Sequence, residues 1–189
     1  VLENKLEFTI IKELKENLKV FLIAGDPSGD QLGGRFMSAI KQNFGGSIQF
    51  LGVGGEKMIK EGLVSIFPMS EISMMGIIEI LHKLFFLLKR IKQTSTEIKK
   101  FNPDVLVTID SPSFCFRVIK QCQRLKGFPR IHYVAPTVWA WRPNRVHKFA
   151  KELDHLLTLL PFEPPYFKSA GLSATFVGHA ALEINLTSL

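Results

Sequence analysis

With 189 residues, 46% hydrophobic and 22% charged, the chain has the size and composition of one sizeable globular domain and is too short for two full ones. A net charge of +7 and a pI near 9.5 point to anionic partners (phosphates, nucleic acid or a membrane surface) or simply to a basic proteome. Cys115 and Cys122 have neither metal-ligand spacing nor the pattern of a secreted disulfide framework, which excludes the small cysteine-stapled and zinc-ribbon classes.

Residues Val1–Leu18 read as an amphipathic helical extension, with charges mixed through the apolar positions, so a cleavable signal is not expected there. From there, continuous apolar runs recur at Val20–Ala24, Ile48–Val53, Val105–Ile109, Ile131–Val134, Leu156–Leu160 and Ala174–Val177. Such runs suit parallel strands buried on both faces. Helical patterns lie between them at Asp30–Asn43, Gly76–Lys100, Phe114–Lys126 and Pro143–Leu153. The alternation predicts an α/β domain with a doubly wound, mostly parallel sheet. In such sheets ligands sit beyond the carboxyl ends of the strands, so the informative residues follow each run.

After the first strand, "AGDPSGD" (Ala24–Asp30) offers glycines for close backbone approach, and Ser28 or Asp30 as a cap for the next helix, whose amino end attracts anions. It is neither G-x-G-x-x-G nor a P-loop, and a plain capped turn explains it equally. "GVGGEKM" (Gly52–Met58) is a second glycine turn into a helix. The stretch Ser70–Lys92 is too apolar for one face of a helix packed on a sheet. Its Met74, Met75, Ile77 and Phe85 suit an acyl pocket or contact with lipid headgroups; a long core helix is the alternative. The segment Ile72–Leu88 carries Glu79, His82 and Lys83 and is too short and too charged to span a bilayer, so the chain reads as cytosolic with surface contact to membrane. "DSPSF" (Asp110–Phe114) places a carboxylate at a strand end before a Pro turn, the position for a general base or a hydroxyl-binding group, or merely for a turn-fixing Asp. In "IHYVAPTVWAWRPNR", Pro136 ends the strand, and Trp139 and Trp141, alternating about Ala140, are expected to face opposite ways. Arg142 and Arg145 begin the next helix, where cations oppose the helix dipole; that cost makes sense if they hold a phosphate or carboxylate, and surface arginines beside a packing Trp are the alternative.

Taken in order, "AGDPSGD", "GVGGEKM", "SMMGIIEIL", "PDVLVTIDSPSF", "IHYVAPTVWAWRPNR", "LLPFEPPYF" and "FVGH" resemble the amino-terminal half of the bacterial lipid-A-disaccharide synthases, over Val20–His179. The resemblance implies the Rossmann-like acceptor-side lobe of a two-lobed GT-B glycosyltransferase over residues 19–179, after an extension at 1–18 and before an interdomain tail at 180–189. It implies transfer of diacylglucosamine from UDP-2,3-diacylglucosamine to 2,3-diacylglucosamine 1-phosphate with inversion, at the cytosolic face of the inner membrane, with no metal, cofactor or nucleic acid. Carried onto this chain, it makes Asp110 and Asp26 catalytic. It makes Ser28, Gly29, Asp30, Met75, Gly76, Glu79, Ser113, Tyr133, Trp139, Trp141, Arg142, Arg145, Glu163 and His179 substrate-binding.

Three positions depart from the family pattern. Asp26 stands where the family usually has Glu, and Ser113 where it often has a second acid, a candidate base that a neutral hydroxyl cannot replace. The tail "AALEINLTSL" replaces a Pro-containing continuation, so the UDP-binding lobe is expected on a second chain or not at all. The competing reading is a non-catalytic module that keeps the acyl-sugar pocket and the membrane contact. A nucleotide-binding Rossmann domain of the dehydrogenase kind would require the G-x-G-x-x-G that is missing after the first strand.

Overall fold

The computed structural model describes residues 16–73, 80–123, 125, 127–138 and 145–178. These form, in chain order, β1 (Asn17–Ala24), α1 (Pro27–Asn43), β2 (Ser47–Val53), α2 (Glu56–Lys60), β3 (Leu63–Ser65), α3 (Ser70–Ser73), α4 (Ile80–Phe101), β4 (Val105–Ile109), α5 (Pro112–Gln121), β5 (Arg130–Tyr133), α6 (Val146–Glu152), β6 (His155–Thr158), α7 (Pro164–Lys168) and β7 (Ser173–Phe176). All seven strands join one sheet in the order β3-β2-β1-β4-β5-β6-β7, and every pairing is parallel.

The apolar runs become this sheet because both faces are covered. Along β1, Val20, Leu22 and Ala24 pack with Met37 of α1 and Met58 of α2, while Phe21 and Ile23 pack on the other face with Leu87, Ile91 and Ile98 of α4 and Phe114 and Val118 of α5. Each fully buried Phe, Leu or Ile contributes roughly 1.5–3 kcal/mol through apolar area removed from water. Polar side chains also lie on the second face: Thr108 and His132, paired in register on β4 and β5, are both fully buried, as is Thr158 of β6.

Several boundaries differ from the sequence reading. The sheet starts at Asn17, inside the stretch expected to be an extension, because Asn17 and Leu18 already pair with Ser47 and Ile48. Helix α1 starts at Pro27 rather than Asp30, since Asp26 and not Ser28 or Asp30 is its cap. The short elements β3, α3 and α7 carry too few residues to show a period. Among the described residues no helix is long and apolar enough to cross a membrane.

Candidate functional site

The strand order reverses between β1 and β4: the chain runs outward from β1 to β3, then returns to the other side of β1 at β4. That switch point opens a crevice beyond the strand ends. Ala24 and Ile109 are partners in register, so the residues that follow them meet there.

Asp26 leaves β1 in an extended conformation and caps α1, with Oδ1 accepting the Gly29 N–H at 2.7 Å. Pro27 fits at the start of the helix because its missing N–H is not needed there. The Ser28 hydroxyl also donates to Asp26 Oδ1 at 2.5 Å. Across the crevice, Asp110 and Ser111 both take left-handed backbone conformations, φ 50° and 44°. Two consecutive non-glycine residues there store strain of order 1–3 kcal/mol each. Local bonds hold them: the Asp110 N–H donates to the Tyr133 carbonyl at 2.9 Å, and Asp110 Oδ1 accepts the Ser111 N–H at 2.8 Å. The result turns the Ser111 hydroxyl toward β1, where it donates to Asp26 Oδ2 at 3.1 Å. Gly25 makes room for it, since a Cβ on Gly25 would lie 2.3 Å from Ser111 Oγ.

The two carboxylates are therefore unequal. Both oxygens of Asp26 accept hydrogen bonds, from Gly29, Ser28 and Ser111. Among the described residues Asp110 Oδ2 has only Ser28 Oγ at 3.3 Å, and the single proton of that hydroxyl is engaged by the closer Asp26. Asp110 Oδ2 thus has acceptor capacity left over among the described residues, while Asp26 acts as the cap and the hub of the hydroxyl pair. Beneath them, burial and then the charges of Asp110 and Asp26 push the Cys115 thiol far above its ordinary range, which leaves it protonated and unsuited as a nucleophile.

The remaining expected residues are distributed as follows. Gly29 and Ser28 belong to the acid pair. Asp30, 5% exposed, turns away from it: Oδ1 accepts the Gly55 and Met58 N–H groups at 2.8 and 3.1 Å, and Oδ2 accepts that of Lys57 at 3.0 Å. It fixes the amino end of α2, a structural task. Tyr133 sends its carbonyl to Asp110 and its ring to Phe36 on the α1 side, 6.2 Å between centroids. Ser113 is exposed in the first turn of α5. Arg145 precedes α6 with its guanidinium 5.6 Å over the Phe149 ring. Glu163, 3% exposed, accepts the Leu160 N–H at 3.0 Å and precedes α7. Met75, Gly76, Glu79, Trp139, Trp141, Arg142 and His179 lie outside the described residues. Sequence reasoning missed Ser111; its only signal is the Asp-Ser-Pro turn, which does not announce the left-handed backbone that aims the hydroxyl. Among the described residues no three His, Cys, Asp or Glu side chains gather as metal ligands.

A solved glycosyltransferase from Rickettsia africae superposes with a TM-score of 0.51 at 12% identity, covering 93% of this chain and 48% of that one, a likeness of fold. Curated lipid-A-disaccharide synthases match more closely. That of Rhodospirillum centenum is 54% identical over 167 residues, and that of Ruegeria pomeroyi 51% identical over 162. The chain is covered to 88% and 86% in these matches and spans only 42% and 40% of the relatives' own length. The family model described as lipid-A-disaccharide synthetase matches residues 20–187, and the chain belongs to that family.

Proposed function

We propose that this chain is the acceptor-side lobe of a lipid A glycosyltransferase, joining UDP-2,3-diacylglucosamine and 2,3-diacylglucosamine 1-phosphate into the disaccharide 1-phosphate and releasing UDP. The observation that carries the reading is the acid pair at the switch point, on a chain of this family. In the reaction an acceptor hydroxyl attacks the anomeric carbon from the face opposite UDP. The new C–O bond forms as the bond to UDP breaks, the anomeric configuration inverts, and the hydroxyl proton must go to a base. Asp110 Oδ2 is that base, because its lone pairs are uncommitted. Asp26, with Ser28 and Ser111, holds the loop and presents hydroxyls to the sugar. These protein groups carry the transfer without a resident cofactor. The family resemblance assigns Ser113, Tyr133, Trp139, Trp141, Arg142, Arg145, Glu163 and His179 to substrate binding, and the donor lobe would close over the crevice, from a following segment or a second chain. The exposed apolar side chains Leu160, Phe162, Phe176 and Val177 near the ends of β6 and β7 support such a docking.

The acyl chains and the membrane fall to α4. Leu87, Ile91 and Ile98 enter the core, while Phe85 is 76% and Leu88 49% exposed beside Lys89 and Lys92. Apolar and cationic groups on one outer surface suit an anionic headgroup layer, which makes the chain peripheral to the inner membrane. The test is disaccharide formation by this chain joined to the remaining carboxyl-terminal length of the R. centenum relative. Product and UDP are expected in equal amounts; a folded fusion that releases neither contradicts the reading. Phe85→Ser with Leu88→Ser should lower cosedimentation with anionic vesicles several-fold, and unchanged cosedimentation would remove the membrane role from α4.

A further inference from the structure

Helix α3 has four residues, too few to stand as a helix in water, so its place is set by what it packs against. Ile72, 5% exposed, lies beside the acid pair: a Cβ on Gly25 would stand 3.5 Å from Ile72 Cδ1, in the same small volume that Ser111 borders. Glu71, the residue before it, forms an ion pair with Arg90 of α4. We infer that Arg90 is a positioning residue for the acid pair, holding Ile72 against Gly25 through Glu71.

The guanidinium of Arg90 is itself fixed. Its central carbon lies 4.7 Å from the centre of the Phe67 ring and 4.9 Å from that of Phe86, and Nη1 donates to Gln93 Oε1 at 2.6 Å. Phe67 is buried in the core and opens the segment that leads into α3; its carbonyl accepts the Ser65 hydroxyl at 2.8 Å. A planar cation held against aromatic rings presents its remaining N–H groups in a set direction, which a flexible ammonium does not. Nε is buried and has no acceptor among the described residues. A buried donor without a partner, beside a half-buried ion pair, is a costly way to secure a short helix, since apolar side chains of the same volume would often stabilise it as well. What the ion pair adds is direction: it sets where Glu71 and the next residue stand.

That direction matters at the acid pair. Ser111 holds a left-handed backbone, φ 44°, with its hydroxyl on Asp26 Oδ2 at 3.1 Å and its N–H on Asp110 Oδ1 at 2.8 Å. Such a conformation persists only where its surroundings over-determine it. Ile72 and Ser111 flank the same glycine, so withdrawal of Ile72 leaves room for the turn to relax and for Asp110 to move with it. The effect falls on the geometry of the base and not on the donor. This inference rests on the reading of Asp110 as the base.

The experiment has two arms. In this chain, labelled at the isoleucine δ1 methyls, the NOE between Ile72 and the Gly25 α protons is recorded for the parent, Arg90→Met, Glu71→Ala and Arg130→Met. The last breaks the Arg130–Asp154 pair at the amino end of β5, away from the crevice. Glu71→Ala removes the ion pair from a half-buried position and serves if Arg90→Met does not fold. In the fusion to the remaining carboxyl-terminal length of the R. centenum relative, kcat and the KM for the UDP-sugar are measured for the same variants. Arg90→Met and Glu71→Ala are expected to lose the NOE and to lower kcat about 10- to 100-fold at unchanged KM, while Arg130→Met does neither. An NOE that persists in Arg90→Met and Glu71→Ala overturns the positioning, whatever the fusion does. A lost NOE with unchanged kcat, or an equal fall in Arg130→Met, overturns its part in the reaction. A parent fusion without transfer counts against the glycosyltransferase reading, and the methyl arm still decides whether Arg90 holds Ile72 in place.

Discussion

Gly25 and Ser111 compete for one volume, which makes the site sensitive to a single methyl group. Gly25→Ala places a Cβ 2.3 Å from Ser111 Oγ and 2.6 Å from its Cβ, with Ile72 Cδ1 next at 3.5 Å. The substitution should cost about 1–3 kcal/mol in the parent chain and less than about 1 kcal/mol in Ser111→Gly, where the obstruction is gone. Urea midpoints around that double-mutant cycle check it, and additive costs would show that the two residues are not in contact. His132 supplies a second residue-scale test. Its ring is fully buried, Nδ1 lies 2.7 Å from Thr108 Oγ1, and Nε2 is among the buried atoms with no hydrogen-bond partner. Burial pushes its pKa down from 6.5 to about 3. The unfolded chain therefore binds a proton that the folded chain refuses between these values, so stability from neutral His132 is complete above pH 6.5 and falls as pH drops toward 3. The loss approaches about 1.4 kcal/mol per pH unit, near 2 kcal/mol by pH 5. Denaturant midpoints at pH 7.5 and 5 should show this for the parent chain and a smaller change for His132→Leu. At this scale Asp26 and Asp110 were legible because they follow apolar runs, whereas Ser111 was not, since its role depends on a backbone conformation the residue type disfavours.

Among the elements, α1 and α2 act as one unit through Asp30. The family resemblance assigned Asp30 to substrate binding; the three amide bonds it accepts explain why a five-residue helix is held in place. Asp30→Ala should cost about 3 kcal/mol or more, because three buried N–H groups lose a charged acceptor, and hydrogen exchange at Lys57 and Met58 should accelerate before that of β1. Unchanged exchange there would show that α2 is held by packing alone. The strands of the sheet were readable because each is a buried apolar run bounded by turns, and the glycine turn after β2 announced α2. The elements β3, α3 and α7 were unreadable because three to five residues complete no period. The start of β1 was misjudged because Asn17 and Leu18 continue the preceding mixed pattern, and only pairing with β2 makes them strand.

For the whole molecule, topology converts two distant loops into one site: β1 and β4 are neighbours only because the strand order reverses there, and the sequence shows the loops but not their adjacency. The chain spans about two fifths of the relatives it matches, and the donor side of the reaction is assigned to the remainder. This chain alone should accordingly bind UDP no more tightly than about millimolar by calorimetry, and micromolar binding would place a nucleotide site within it. The central claim is that Asp110 takes the acceptor proton. Its most direct test is the single-turnover rate of sugar transfer by this chain fused to the remaining carboxyl-terminal length of the R. centenum relative, compared for the parent, Asp110→Asn and Ser113→Asp. General base catalysis is worth about 10² to 10⁴ in rate. Asp110→Asn should lose that factor while Ser113→Asp changes the rate little; full transfer by Asp110→Asn, or a large gain from Ser113→Asp, would contradict the account.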